Sequence, residues 1–96
     1  MPTFITMLKW TTSGIQNIKG SPNRLDEGRK AFKKLGVDLK DVYLTMGQHD
    51  LICVLEAPDS ATVARAVLSL AQVGAVTTET IAAFTEDEYR GLIASL

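Results

Sequence analysis

Apolar residues along this chain change their spacing from block to block, and the changes predict its elements. Phe4, Ile5, Met7, Leu8 and Trp10 crowd the first ten positions with aromatic and β-compatible side chains, which predicts a strand. Thr11 to Gly20 holds two glycines and few large apolar residues, and reads as a loop. Leu25, Gly28, Phe32 and Leu35 then recur at three- and four-residue steps, one face of a helix. Ser21-Pro22 opens it, with serine to cap free N–H groups and proline suited to the first helical position. Asp26 and Glu27 early and Lys33 and Lys34 late complement the helix dipole, and Gly36 ends it.

Strands are predicted over 38–46 and 51–57, separated by Gly47-Gln48-His49-Asp50. That turn is too short for a crossover, so the two strands must pair antiparallel. Pro58-Asp59-Ser60 caps a second helix whose buried stripe is Val63, Val67, Leu70 and Ala71, and Gly74 stops it. A fourth strand spans 76–84. Thr85-Glu86-Asp87-Glu88 has the capping-box form and opens a short helix carrying Tyr89, Leu92, Ile93 and Leu96.

The order strand-helix-strand-strand-helix-strand, with a terminal helix, predicts a ferredoxin-like α+β sandwich as one domain over 1–96. In the first strand Phe4, Leu8 and Trp10 occupy one parity and Ile5 and Met7 the other. In the third, Leu51, Cys53 and Leu55 oppose Ile52 and Val54. Two helices cover only one face of such a sheet, so the second apolar face is expected to meet another copy, sheet against sheet.

Composition sharpens this picture. Hydrophobic residues make up 46% of the 96, and the mean hydropathy is +0.11, a generous apolar supply for so small a domain. The net charge of −1 gives no broad footprint for nucleic acid or an anionic membrane. One cysteine excludes an internal disulfide. MPTFITMLKW lacks the basic-then-apolar order of a signal peptide, no run approaches a membrane span, and a cytoplasmic protein is expected.

Candidate chemistry concentrates at the central turn. Either Gly47 supplies an unusual backbone angle while Gln48 or Asp50 bonds the turn, or His49 and Asp50 contact a ligand in an adjoining cleft. Adjacent histidine and carboxylate make no triad, since no activated nucleophile stands at a defined spacing. Cys53, mid-strand among apolar neighbours, reads as a buried thiol, and Glu56 as a strand-end carboxylate on the second face. One histidine and one cysteine do not make a metal site, and no cofactor is implied. Gly14 to Ser21, GIQNIKGS, has its lysine before the glycine and fails as a phosphate loop. Arg24, Arg29, Lys30, Lys33 and Lys34 make the first helix basic, a solvated face without interleaved aromatics.

These residues resemble the GYD domain family. The likeness rests on Pro2-Thr3-Phe4-Ile5, on the Lys9-Trp10-Thr11 and Gly14 group, and on the helix from Pro22 through Gly36. It continues through Gly47, His49 and Asp50, through Glu56-Ala57-Pro58-Asp59, and through Thr78-Glu79-Thr80 to Ala83-Phe84-Thr85. His49 stands where the family has tyrosine. The resemblance implies a dimeric α+β barrel and no particular activity. More loosely, Met46, Gly47 and Asp50, followed by Gly74, Val76, Thr78 and Thr80, are similar to the effector-binding domain of Lrp/AsnC regulators. That likeness implies a small metabolite held at a subunit interface. No helix-turn-helix precedes the domain, so direct DNA binding does not carry over.

The expected function is therefore a small-molecule-binding or regulatory module, a homodimer or higher homo-oligomer. Trp10 and Tyr43 would be apolar walls of its site, Gly47 would permit close approach, His49 and Asp50 would make polar contacts, and Thr78 would assist. The alternatives are a cofactor-free isomerase, decarboxylase or monooxygenase with His49 or Asp50 as proton acceptor, and a purely structural oligomerisation domain.

Overall fold

The computed structural model describes residues 1–96 and contains four strands and four helices in the order βαα-ββ-αβ-α. They are β1 (Thr3–Trp10), α1 (Thr12–Gln16), α2 (Ser21–Lys34), β2 (Asp38–Leu44), β3 (Leu51–Glu56), α3 (Ser60–Gln72), β4 (Val76–Ala83) and α4 (Glu86–Ala94). The strands form one antiparallel sheet in the order β2-β3-β1-β4, the ferredoxin-like arrangement the alternating pattern predicts.

Register decides which side chains share a face. Phe4, Thr6 and Leu8 pair with Leu55, Cys53 and Leu51, and this parity faces α2 and α3. Val37, Leu55, Ala57, Val63 and Ala66 complete its centre, each no more than 2% exposed. Thr6 is buried with them, and its hydroxyl is satisfied by Thr80 Oγ1 at 2.9 Å. On the opposite parity Ile5 and Met7 pair with Val54 and Ile52, and Ile5 with Ile81 on β4. Neither α2 nor α3 covers this open side.

Two local features differ from the sequence expectation, and a third adds to it. The segment 11–20 is not a loop: it holds α1 and a single 3-10 turn at Ile18–Gly20. Five residues are too few to show a period, and α1 is set by its cap, where Thr11 Oγ1 accepts from Gly14 N at 3.1 Å. Ser21 does not cap α2 but is its first residue. Gly20 holds the cap position without a side-chain bond. In β2, a bulge between Leu39 and Asp41 changes the parity. Leu39 and Val42 both pack toward the core, and Asp41 and Tyr43 turn to the open side.

The other termini follow their sequence signals. Asp59 Oδ1 accepts from Thr62 N at 2.8 Å to cap α3, and the Thr62 hydroxyl, then this N–H, hold its carboxyl below the usual range. Thr85 and Glu88 form both bonds of the capping box. Yet α4 buries nothing: Tyr89, Leu92 and Ile93 are all at least half exposed. The radius of gyration is 14.3 Å. A compact domain of this length would have roughly 12–13 Å. The excess fits a terminal helix standing off the body.

Candidate functional site

The turn between β2 and β3 is held by its own polar groups. Thr45 N donates to Asp50 O at 2.8 Å, and Thr45 Oγ1 donates to His49 O at 2.6 Å. Asp50 then binds the neighbouring strand twice: its N–H donates to Leu8 O at 2.8 Å, and its Oδ2 accepts from Trp10 N at 2.9 Å. The carboxylate thus replaces a ladder partner where β1 runs on to Trp10, past Leu8, the residue opposite β3's first. Gly47 lies at φ +149°, a conformation that side chains disfavour, with open space around its α-carbon.

His49 does not point away into solvent. It folds across the open side of the sheet, where Nε2 lies 3.1 Å from Glu79 Oε2 on β4. Glu79 is opposite Met7 in the register, so the pair stands over the apolar stripe of Ile5, Met7 and Ile52. The imidazole is largely covered, at 23% exposure, and the carboxylate is open, at 64%. At the far end of this face Lys40 Nζ meets Glu56 Oε1 at 3.3 Å. The face is apolar in the middle, with a Lys–Glu ion pair at one end and a His–Glu hydrogen bond at the other.

The six site residues named from the sequence do not converge on one point. Trp10 and Asp50 meet, but through the Trp10 backbone. His49 and Tyr43 share the open side, with Tyr43 on the edge strand opposite Ile52 and 58% exposed. Thr78 pairs with Leu8 and the Trp10 ring lies beyond it, both on the helix side. Gly47 is at the hairpin tip. Glu79 was missed in the sequence. Its signal was a lone carboxylate on a strand otherwise made of threonine, valine, isoleucine and alanine.

Gly14 was also missed as a functional constraint. A Cβ there would lie 2.0 Å from Ala75 O and 3.2 Å from Trp10 Cδ1. Thr11 donates from N to Ala75 O at 3.0 Å and from Oγ1 to Gly74 O at 2.6 Å. The Trp10, Thr11 and Gly14 group therefore locks α1 onto the α3–β4 connection and holds the indole in place.

On the helix side, a cavity of about 510 Å³ opens between the sheet, α2 and α3. Leu8, Phe32, Cys53 and Leu55 form its buried floor, and Trp10 closes one end. Burial pushes the Cys53 thiol up to about 11, with the Arg29 charge pulling it partly back. No helix of the chain is long and apolar enough to cross a membrane.

With this ferredoxin-like sheet and its β2–β3 hairpin in place, the chain matches the GYD domain family across residues 4–93 and belongs to that family. A relative from Thermus thermophilus, the "Glutamine synthetase and cystathionine beta-lyase binding protein", is 39% identical over 84 residues. That alignment covers 86% of this chain and 88% of the relative. Among solved structures, MtbAldR superposes with a TM-score of 0.68 at 16% identity over 88% of this chain, which spans about half (52%) of that protein. TTHA0845, also from Thermus thermophilus, superposes with a TM-score of 0.58 at 22% identity, covering 88% of this chain and 95% of that one. At these identities the two structures speak for the fold alone.

Proposed function

We propose that this chain is a regulatory binding protein that assembles as a homo-oligomer through the open side of its sheet and docks on a metabolic enzyme. The observation that carries the assembly is the uncovered apolar stripe of Ile5, Met7, Ile52, Val54 and Ile81, flanked by the Lys40–Glu56 ion pair and the His49–Glu79 hydrogen-bonded pair. Half-buried already at four of these positions, the side chains gain only part of the roughly 1.5–3 kcal/mol that full burial gives each, and a second sheet of the same shape can cover them all. The relative named for binding glutamine synthetase and cystathionine β-lyase supports an enzyme of amino-acid metabolism as the partner. A metabolite held beside the hairpin at the interface, against Tyr43 and His49, would make the docking responsive to supply.

The test is to pass a purified glutamine synthetase over the immobilised chain while following its activity. Saturable binding that alters activity is the expected result. Absence of binding to both glutamine synthetase and cystathionine β-lyase would remove the partner assignment.

One observation favours a second reading, an enzyme of the dimeric-barrel type. A carboxylate 3.1 Å from an imidazole orients that ring as a proton acceptor, and Glu79 does this for His49 above an apolar surface. Under this reading His49→Gln abolishes a turnover that Glu79→Gln only weakens. Under the first reading neither variant changes anything but the affinity.

A further inference from the structure

The helix-side cavity serves neither reading, because His49, Tyr43 and the open stripe lie on the other side of the sheet. Its volume of about 510 Å³ far exceeds the water-sized voids that packed cores leave, and falls within the range of small-molecule pockets. The floor offers a ligand nothing polar. The hydroxyl of Thr6 is taken by Thr80, and Cys53 carries a neutral thiol.

The charged groups at its mouth are not equivalent. Glu27 is paired with Lys30 at 3.6 Å. Arg24 is spent on the carbonyls of Asn17 and Gly14, at 2.8 and 3.4 Å. Arg29 lines the cavity, is exposed, and makes neither a hydrogen bond nor an ion pair. One free cation thus stands over an apolar chamber, and its field reaches the floor at Cys53. An occupant matched to this arrangement has an apolar body and one anionic end.

We propose that the cavity binds a medium-chain carboxylate, with its hydrocarbon tail on Leu8, Leu51, Leu55, Phe32 and Leu70 and its carboxylate on the Arg29 guanidinium. The tail gains by leaving water, and the head gains the charge-assisted, two-point contact that guanidinium offers a carboxylate. The site is independent of oligomer contacts and of the partner enzyme, so its failure leaves the proposed function standing.

The chain carries its own reporter, since Trp10 is the sole tryptophan and lines the cavity. The experiment titrates decanoate, below its micelle-forming concentration, into the intact protein and follows tryptophan fluorescence. Decanol and decyltrimethylammonium are the comparison probes. A saturable change is expected with decanoate, at an affinity at least about tenfold above either comparison probe, the factor one charge-assisted hydrogen bond supplies. Arg29→Gln should erase the preference over decanol without shifting the melting temperature. A Cβ at position 28 would already touch Leu70 Cδ1 at 3.9 Å, so Gly28→Leu drives a larger side chain into this cavity wall and should abolish binding. No saturable response, equal affinity for decanoate and decanol in the wild type, or undiminished binding by folded Gly28→Leu overturns the proposal.

Discussion

Two glycines illustrate different reasons for lacking a side chain. Gly14 has ordinary backbone angles but no room, since a Cβ would overlap Ala75 O; Gly47 has room but lies at φ +149°. Gly14→Ala should force α1 off the sheet and lower stability by roughly 1–3 kcal/mol, in the manner of overpacking. It should also alter Trp10 fluorescence, because the indole loses its neighbour. Gly47→Ala should cost a similar amount, of order 1–3 kcal/mol, through backbone strain alone, with the fluorescence unchanged. Chemical denaturation read by circular dichroism and by Trp10 separates the two. Asp50 offers a finer comparison. Asp50→Asn keeps an acceptor for Trp10 N and should be tolerated, whereas Asp50→Ala orphans that N–H and should lose roughly 1–3 kcal/mol. Equal losses for both would show that the charge, and not the hydrogen bond, matters.

At the scale of elements, the helix ends couple stability to pH. The carboxyl of Asp59 is held below its ordinary range by the hydroxyl and then the N–H of Thr62, and that of Glu88 by the N–H and then the hydroxyl of Thr85. Their contributions are therefore present above the ordinary carboxylate pKa and are lost as acidification protonates them. Cys53 acts at the other extreme. Its folded-state value is raised from 9.0 to about 11, so its contribution is complete below pH 9 and is lost as pH rises through 11. A melting-temperature profile should thus fall at both ends, and Cys53→Ala should flatten only the alkaline side. Acid should also fray α4 separately from the body, because α4 depends on its capping box and has no packed face. Thr85→Ala should remove about 1 kcal/mol of local helix stability, visible as faster amide exchange in 86–94 with the sheet unaffected.

The whole molecule carries two uncovered apolar surfaces, the open side of the sheet and the exposed Tyr89, Leu92 and Ile93 of α4. Native mass spectrometry of the purified chain at micromolar concentration should therefore give a dimer or a larger closed assembly. Ile52→Lys or Met7→Glu, each placing a charge in the middle of the stripe, should yield a folded monomer. A wild-type monomer at that concentration would remove the interface on which the proposed function depends.

The alternating and helical patterns, read by themselves, determined the element order, the antiparallel hairpin, the four-stranded sheet and the caps at Asp59 and Thr85. These features depend on residues close in sequence, or on which face of an element is apolar, and such properties are local. Helix α1 left no period to read, the bulge at Lys40 shifts a parity only when β3 lies alongside, and Ser21 lost its capping role to the preceding turn. The His49–Glu79 pair joins positions thirty residues apart, a turn residue between β2 and β3 and a residue of β4, which neighbours neither strand. Gly14 is explained by a carbonyl sixty-one positions away, at Ala75. Only the tertiary structure decided these, and it alone set His49 and Tyr43 on the open side, Trp10 and Thr78 on the helix side, and Gly47 at the hairpin tip. Side chains meet across a sheet according to strand order and register, and those are properties of the assembled fold.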